Sequence, residues 1–185
     1  MARINRGSCV GILYLDAQGR PQVHNGRLLR ARYGNTWVPY VETTRRPNAV
    51  EFRHWNIRRP ANTPFLETRV VTRVREVRRT PDLTPDSPRY CANFRGIMPG
   101  NRILPGTCVG VWFREQGVTD VKNGRYLYWR DRNGRPHCVI TPGVIPYEVF
   151  YYHFIIGTNP QTGQPELVPM IISRTGVRGV FRTTL

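Results

Sequence analysis

Short runs rich in Val, Ile, Tyr, Phe, Trp and Thr alternate along the whole chain with segments that contain glycine or proline. Many short apolar runs at this spacing are typical of an all-β fold, because β-branched and aromatic residues favour strands and glycine and proline favour turns. About twelve strands are predicted: Cys9–Leu15, Arg27–Tyr33, Thr36–Val41, Ala49–Trp55, Phe65–Val77, Tyr90–Phe94, Cys108–Arg114, Arg125–Arg130, His137–Thr141, Glu148–Ile156, Leu167–Ser173 and Gly179–Thr183. We therefore expect one all-β domain over residues 1–185, an antiparallel sandwich or barrel for which a jelly-roll-like order is one option.

Three of the predicted turns share a Gly-x-Pro ending, at Gly19–Pro21, Gly134–Pro136 and Gly163–Pro165. Glycine supplies the positive φ that closes a hairpin with a type I turn and a bulge, and the proline that follows blunts the start of the next strand. Shared turn chemistry explains the similarity, so these three turns alone do not establish an internal repeat.

The segment Phe65–Arg79 fits two patterns. Its valines fall at helical spacing after a Thr63-Pro64 start, and they also alternate with arginines as a strand would require. Because valine has a stiff χ1 angle, we expect a strand, with at most one short helix near 64–79. The proline-rich stretch that follows, residues 80–88, is expected to be an exposed loop within the same fold.

The charge of the chain is strongly positive. It carries 28 basic residues against 12 acidic ones, a net charge of +16, and Lys122 is the one lysine among the basic residues. Such a charge predicts a polyanionic partner, and arginine in particular binds phosphate through two parallel N–H bonds. A codon bias toward arginine is the competing explanation for the shortage of lysine, although it leaves the net charge unexplained. The hydrophobic content of 39% is too high for a disordered basic tail, so we expect an ordered domain.

The cysteines, at positions 9, 91, 108 and 138, form no C-x-x-C pair and no zinc-finger spacing with a histidine. We expect buried free thiols, with an inter-strand disulfide as the alternative under oxidising conditions, and we expect neither a metal nor a cofactor. The apolar run after Arg3 and Arg6 is too short for a convincing signal peptide and lacks a cleavage site, so it is expected to be the first strand. No run approaches the length of a membrane span, so no membrane partner is expected.

Arginines at strand ends and next to aromatic residues are the candidate binding residues. Paired arginines precede proline or Thr-Pro at three places, and if these ends converge they form one basic rim that contacts phosphates without reading sequence. Aromatic side chains beside arginine could stack unpaired bases, or they could simply fill the core. The predicted nucleic-acid-binding residues are Arg45, Arg46, Arg58, Arg59, Arg69, Arg73, Arg75, Arg78, Arg79, Arg130 and Arg132.

An enzyme is not expected, because no catalytic motif is present. Glu51 and His54, like Glu148 and His153, fall on opposite faces of their predicted strands. These observations favour a structural protein of a virion or nucleocapsid, located in the virion or host cytoplasm, that contacts nucleic acid, RNA ahead of DNA, and other copies of itself or other virion proteins. The alternative is a non-viral nucleic-acid-binding β module, and a metal-independent ribonuclease is a weaker third hypothesis.

Overall fold

The computed structural model describes residues 2–82, 87–94 and 100–185, and shows two β units in sequence. The N-terminal unit contains β1 (Arg3–Asn5), β2 (Cys9–Leu15), β3 (Pro21–Tyr33), β4 (Thr36–Val38), β5 (Tyr40–Glu42), β6 (Ala49–Arg58), β7 (Thr63–Thr72) and β8 (Val74–Arg79). The C-terminal unit contains β9 (Cys108–Glu115), β10 (Val118–Arg130), β11 (Pro136–His137), β12 (Glu148–Thr158), β13 (Pro165–Arg174) and β14 (Val177–Arg182).

The two units have the same antiparallel topology. The main sheet of the N-terminal unit has the order β7-β6-β3-β2-β8, and that of the C-terminal unit has the order β13-β12-β10-β9-β14. The predicted all-β class and antiparallel sandwich are therefore confirmed, and no closed barrel occurs within the described residues. The order is a meander in which the last strand returns to pair with the first, rather than the jelly-roll-like order that the sequence left open. The expectation of a single domain over 1–185 stays a prediction, although each unit has its own cluster of buried apolar side chains.

One residue in the N-terminal unit and two in the C-terminal unit join the last two strands of each sheet, although these strands lie at opposite edges. The residue before the final strand has a positive φ in both units, 54° at Arg73 and 63° at Gly176. In each unit its carbonyl accepts a hydrogen bond from the first main-sheet strand, at 3.1 Å from Leu15 N and 2.8 Å from Arg114 N. Each sheet therefore curls so far that its two edges approach each other.

The ambiguous segment is a strand pair, β7 and β8, so the structure has no helix near 64–79. The predicted strand Tyr90–Phe94 is wrong, because Arg89–Phe94 forms a short 3₁₀ helix between the units. A disulfide from Cys91 to Cys138 fixes this helix. The aromatic content of the segment predicted a strand because it carries no information about this disulfide. Residues 83–86 of the proline-rich loop expected at 80–88 lie outside the described residues. In the described part of the loop Thr80 and Ser87 are buried and Asp82 is exposed.

Reciprocal contacts relate the two units by an approximate twofold axis. The Asn25 side chain exchanges two hydrogen bonds with the backbone of Phe154, at 3.0 and 2.7 Å. The Asn123 side chain does the same with Trp55, at 2.8 and 2.7 Å. Contacts that repeat with the partners exchanged are the signature of an isologous, twofold interface. The chain thus resembles a homodimer whose two subunits have been joined.

Two glycines permit this close approach. A Cβ added at Gly11 would overlap the Phe154 ring, and one added at Gly110 would lie 2.6 Å from side-chain atoms of Trp55. The glycines occupy equivalent positions in β2 and β9, so the same packing solution is used on both sides of the axis.

Both pairs of cysteines form disulfides, and the expectation of free thiols is therefore wrong. Cys9 and Cys108 begin equivalent strands and meet on the axis, with their Cα atoms 5.4 Å apart. Cys91 and Cys138 lie with their Cα atoms 5.2 Å apart. Cysteine spacing alone could not identify these pairs, because their members are brought together only by the packing of the units and of the connecting 3₁₀ helix.

The Gly-x-Pro hairpins are confirmed. The glycines have φ values of 77° at Gly19, 80° at Gly134 and 72° at Gly163. In the first two hairpins the turn begins at an aspartate whose side chain caps backbone N–H groups inside the turn, Asp16 and Asp131. The rigid turns follow from local sequence alone.

Candidate nucleic-acid interface

Five of the predicted arginines converge on one open groove of the N-terminal unit. We call this the basic groove; it has a volume of about 860 Å³ and lies between the loop after β5 and strand β8. Six arginines and two glutamates line it: Arg3, Arg45, Arg46, Arg75, Arg78, Arg79, Glu42 and Glu76. The predicted basic rim therefore exists for the Arg45-Arg46 and Arg78-Arg79 pairs.

The arginines of the basic groove differ in whether their guanidinium groups already contact other groups of the protein. The guanidinium of Arg3 stacks 3.9 Å from the Tyr40 ring centroid, and Arg78 donates a 3.0 Å hydrogen bond to the Leu167 carbonyl. Within the described parts of the chain, Arg46, Arg75 and Arg79 have no hydrogen-bonding or ionic partner for their exposed guanidinium groups. Their donors are free to bind an anion.

The other six predicted arginines lie elsewhere. Arg58 and Arg59 sit at the β6–β7 turn, where Arg59 donates to the Thr119 carbonyl at 3.0 Å. Arg69 is half-buried and lines a separate cleft. Arg73 donates to the Asp16 carbonyl at 2.9 Å. The remaining two lie in the C-terminal unit, next to aromatic rings, at Arg130 and Arg132.

The aromatic side chains expected to stack bases are not free to do so. Tyr126 and Tyr128 are buried, and the Trp129 ring stacks on His137 with centroids 4.1 Å apart. Half-buried rings in the N-terminal unit are covered by guanidinium groups, such as Trp37 by Arg30 at 4.2 Å. The exposed rings among the described residues, Tyr90, Phe94 and Tyr147, lie outside the basic groove. The geometry of the groove thus supports contact with phosphates rather than stacking of unpaired bases.

Sequence analysis missed Arg3 in the groove, and it missed a repeat that is visible in the sequence. The pattern R-I-x-x-G-[ST]-C-V-G occurs at 3–11 and again at 102–110, and V-x-N-G-R occurs at 23–27 and again at 121–125. A search for internal similarity at this period would have found both.

The duplicated loops have diverged in chemistry. Pro47 and Pro146 occupy equivalent positions, and the two residues before them are Arg45-Arg46 in one unit and Val144-Ile145 in the other. The side chains of Val144 and Ile145 are 39% and 64% exposed. One copy of the loop therefore presents charge to the solvent and the other presents an apolar tip.

Three histidines and two cations border a cleft between the units: His24, His54, His153, Arg69 and Lys122. Burial lowers the pKa of His24 from 6.5 to about 4, helped by His54 and Arg69. Burial lowers the pKa of His153 to about 4 as well, with Lys122 and Arg174 adding to the effect. Burial also lowers the pKa of His54, against the hydrogen bond with Glu67, whose Oε2 lies 2.7 Å from Nε2. These histidines are therefore neutral at pH 7.

Glu51 binds Arg30 through a 3.2 Å ion pair and has no contact with His54. Among the described residues, no group of three or more His, Cys, Asp or Glu side chains could hold a metal ion. In the same part of the chain, none of the helices has the length and apolar character needed to cross a membrane.

Comparisons with protein-family models, curated proteins and solved structures were made on the whole chain. None of the three finds a match. The functional argument consequently depends on the groove, the charge and the surface of this molecule.

Proposed function

We propose that this protein is a structural component of a virion or nucleocapsid and that it contacts the nucleic acid through the basic groove. The observation that carries the proposal is the convergence on one open surface of Arg46, Arg75 and Arg79, whose guanidinium groups have no partner among the residues that the structure describes. A cluster of unpaired cations repels itself, and a polyanion relieves that repulsion.

Binding in the groove would be directed at the phosphate backbone. Guanidinium groups release condensed counterions when they neutralise phosphates, so affinity depends steeply on salt and little on base sequence. Because the neighbouring rings are buried or covered by arginine, stacking on unpaired bases adds little. We propose RNA ahead of DNA, and the binding experiments should include both.

Replacing Arg46 and Arg75 together by glutamine should weaken binding to mixed-sequence RNA. The slope of log K against log[salt] should become shallower by about two, one for each lost phosphate contact. Fluorescence anisotropy over a salt series measures this slope. The matched control is Arg20→Gln with Arg135→Gln, which removes the same charge from exposed hairpins outside the groove. Equal losses in the two double variants would show that net charge, and not the groove, binds RNA.

The virion part of the proposal is supported by the disulfides and by the apolar loop tip. Disulfides persist in oxidising surroundings, which favours a particle released from the cell over a protein confined to the cytoplasm. The exposed Val144 and Ile145 give the C-terminal unit an apolar contact point, and apolar side chains are typical of the buried centre of protein–protein interfaces.

Ile145→Asp should abolish self-association while the monomer stays folded, because the side chain is exposed and its replacement leaves no cavity. Sedimentation velocity with and without RNA measures the assembly. The control is Val118→Asp, a comparable change at a side chain that is 58% exposed on the β9–β10 hairpin. If the wild-type chain stays monomeric at high concentration in both conditions, the shell-subunit proposal fails and the non-viral binding module takes its place.

A further inference from the structure

A second cationic site lies on the twofold axis, next to the Cys9–Cys108 disulfide. We call it the axial pocket; it has a volume of about 430 Å³. Its lining comes in equivalent pairs from the two units, so the pocket is itself approximately twofold symmetric. The pairs are Gly7 and Gly106, Ser8 and Thr107, Cys9 and Cys108, Arg27 and Arg125, and Arg79 and Arg182.

Backbone carbonyls hold three of the four arginines in place, and one of these is Arg182, which donates to the carbonyls of Gly100 and Arg102. Arg27 donates from Nε to the Gly7 carbonyl and from Nη1 to the Thr183 carbonyl, both at 2.8 Å. Arg125 makes the equivalent bonds to the carbonyls of Gly106 and Thr80, both at 2.9 Å. Arg27 and Arg125 thus each bridge the two units. Carbonyls orient a guanidinium but leave its charge in place, so the fork of Arg27 is preorganised without being neutralised, whereas Arg125 also forms an ion pair with Asp82.

Within the described part of the chain, Arg27, Arg79 and Arg182 have no acidic partner, and no carboxylate is among the described residues that line the axial pocket. The fourth arginine, Arg125, forms an ion pair with the exposed Asp82, whose Oδ2 lies 3.6 Å from Nη2. Burial lowers the pKa of the Arg27 guanidinium, and the charge of Arg182 lowers it further. Partly buried cations that face each other need a counterion, because an unpaired buried charge is expensive.

We propose that the axial pocket binds a phosphate group through Arg27, Arg79 and Arg182. The ligand would be either a free phosphate compound or a phosphate of the nucleic-acid backbone. Planar guanidinium groups fixed in this way suit bidentate bonds to phosphate oxygens. The site is separate from the basic groove, with which it shares Arg79, and it does not depend on the proposed function.

Pyrophosphate titrated into the full-length oxidised protein tests the proposal, with calorimetry and thermal unfolding at constant ionic strength. We expect one saturable site per chain and a midpoint temperature that rises with pyrophosphate concentration. Arg79→Gln should lower the affinity about tenfold or more, since a lost hydrogen bond between charged groups has at least that effect. Because the Arg79 side chain has no partner in the described structure, this variant should fold normally. Arg27→Gln should act in the same direction.

Two controls separate this site from the basic groove and from general charge screening. Arg46→Gln with Arg75→Gln should leave pyrophosphate binding unchanged, and so should Arg135→Gln. The proposal would be overturned if pyrophosphate bound to several weak sites that none of these substitutions affects. It would also be overturned if the Arg79→Gln and Arg27→Gln variants both bound pyrophosphate with the affinity of the wild type.

Competition with RNA then identifies the source of the phosphate. Displacement of RNA by pyrophosphate would support a backbone phosphate as the ligand, and simultaneous binding would support a free phosphate compound. Loss of pyrophosphate binding in Arg27→Gln with RNA binding retained would leave both the axial pocket and the basic groove supported. If Arg46→Gln with Arg75→Gln does not weaken RNA binding, the proposal for the basic groove fails and the proposal for the axial pocket is unaffected.

Discussion

Replacing Cys9 and Cys108 together by alanine should lower the free energy of unfolding by about 3–5 kcal/mol. The two cysteines are 99 residues apart in sequence, and a crosslink that closes a loop of this length restricts the unfolded chain strongly. The disulfide also lies on the twofold axis, so its loss removes the only covalent bond that directly joins β2 to β9 within the described structure. Denaturant unfolding without reductant, followed by tryptophan fluorescence, measures the change.

The matched control is Cys91→Ala with Cys138→Ala. This pair attaches the short 3₁₀ helix to the C-terminal unit and is 47 residues apart, so its loss should free that helix while the contacts across the axis stay intact. The first double variant should therefore separate the unfolding of the two units, and the second should not. Identical single transitions with unchanged midpoints in both variants would show that the axial disulfide contributes little.

Acidification from pH 6.5 to pH 4 should lower the free energy of unfolding by about 2 kcal/mol for each of His24 and His153, after allowance for solvent screening. Burial holds the pKa of both side chains at about 4 in the folded protein, against 6.5 when exposed. Between these values the unfolded chain binds protons that the folded chain does not, so stability is complete above pH 6.5 and is lost as pH falls.

Urea unfolding at several pH values in this window measures the effect. Two cations, Arg69 and Lys122, border the same cleft, and Asp120, which pairs with Lys122 at 3.7 Å, offsets part of their charge. Protonation of the histidines there therefore also introduces repulsion between the units. The double variant His24→Gln with His153→Gln should show a much flatter dependence on pH than the wild type. A wild-type stability that is constant between pH 6.5 and 4.5 would mean that water solvates these rings in the folded state.

These two expected results concern the same interface between the units, which one set of groups stabilises and another makes sensitive to acid. The disulfide and the reciprocal hydrogen bonds of Asn25 and Asn123 hold the units together, whereas the buried histidines make the contact sensitive to acid. We expect the acid effect to be larger when the disulfide is absent, because the units are then free to separate.

The candidate site was predictable only in part. Paired arginines at strand ends indicated a basic rim, and the Arg45-Arg46 pair does meet Arg78-Arg79 in the basic groove. Arg58 and Arg59 have the same local pattern and lie at the β6–β7 turn, outside the groove. Arg130 and Arg132, which follow an aromatic run, lie in the other unit. A local pattern shows which residues stand at strand ends, but it carries no information about which ends are neighbours.

By itself the sequence determined the features that depend on neighbouring residues. Periodicity and composition predicted the strands, Gly19, Gly134 and Gly163 predicted the hairpins, and the excess of arginine determined the charge. Tertiary structure decided the disulfides, the basic groove, the axial pocket and the histidine cleft. Each of these joins residues from separate strands, and mostly from units about a hundred positions apart, so it depends on strand register and on the close approach that Gly11 and Gly110 permit across the twofold axis.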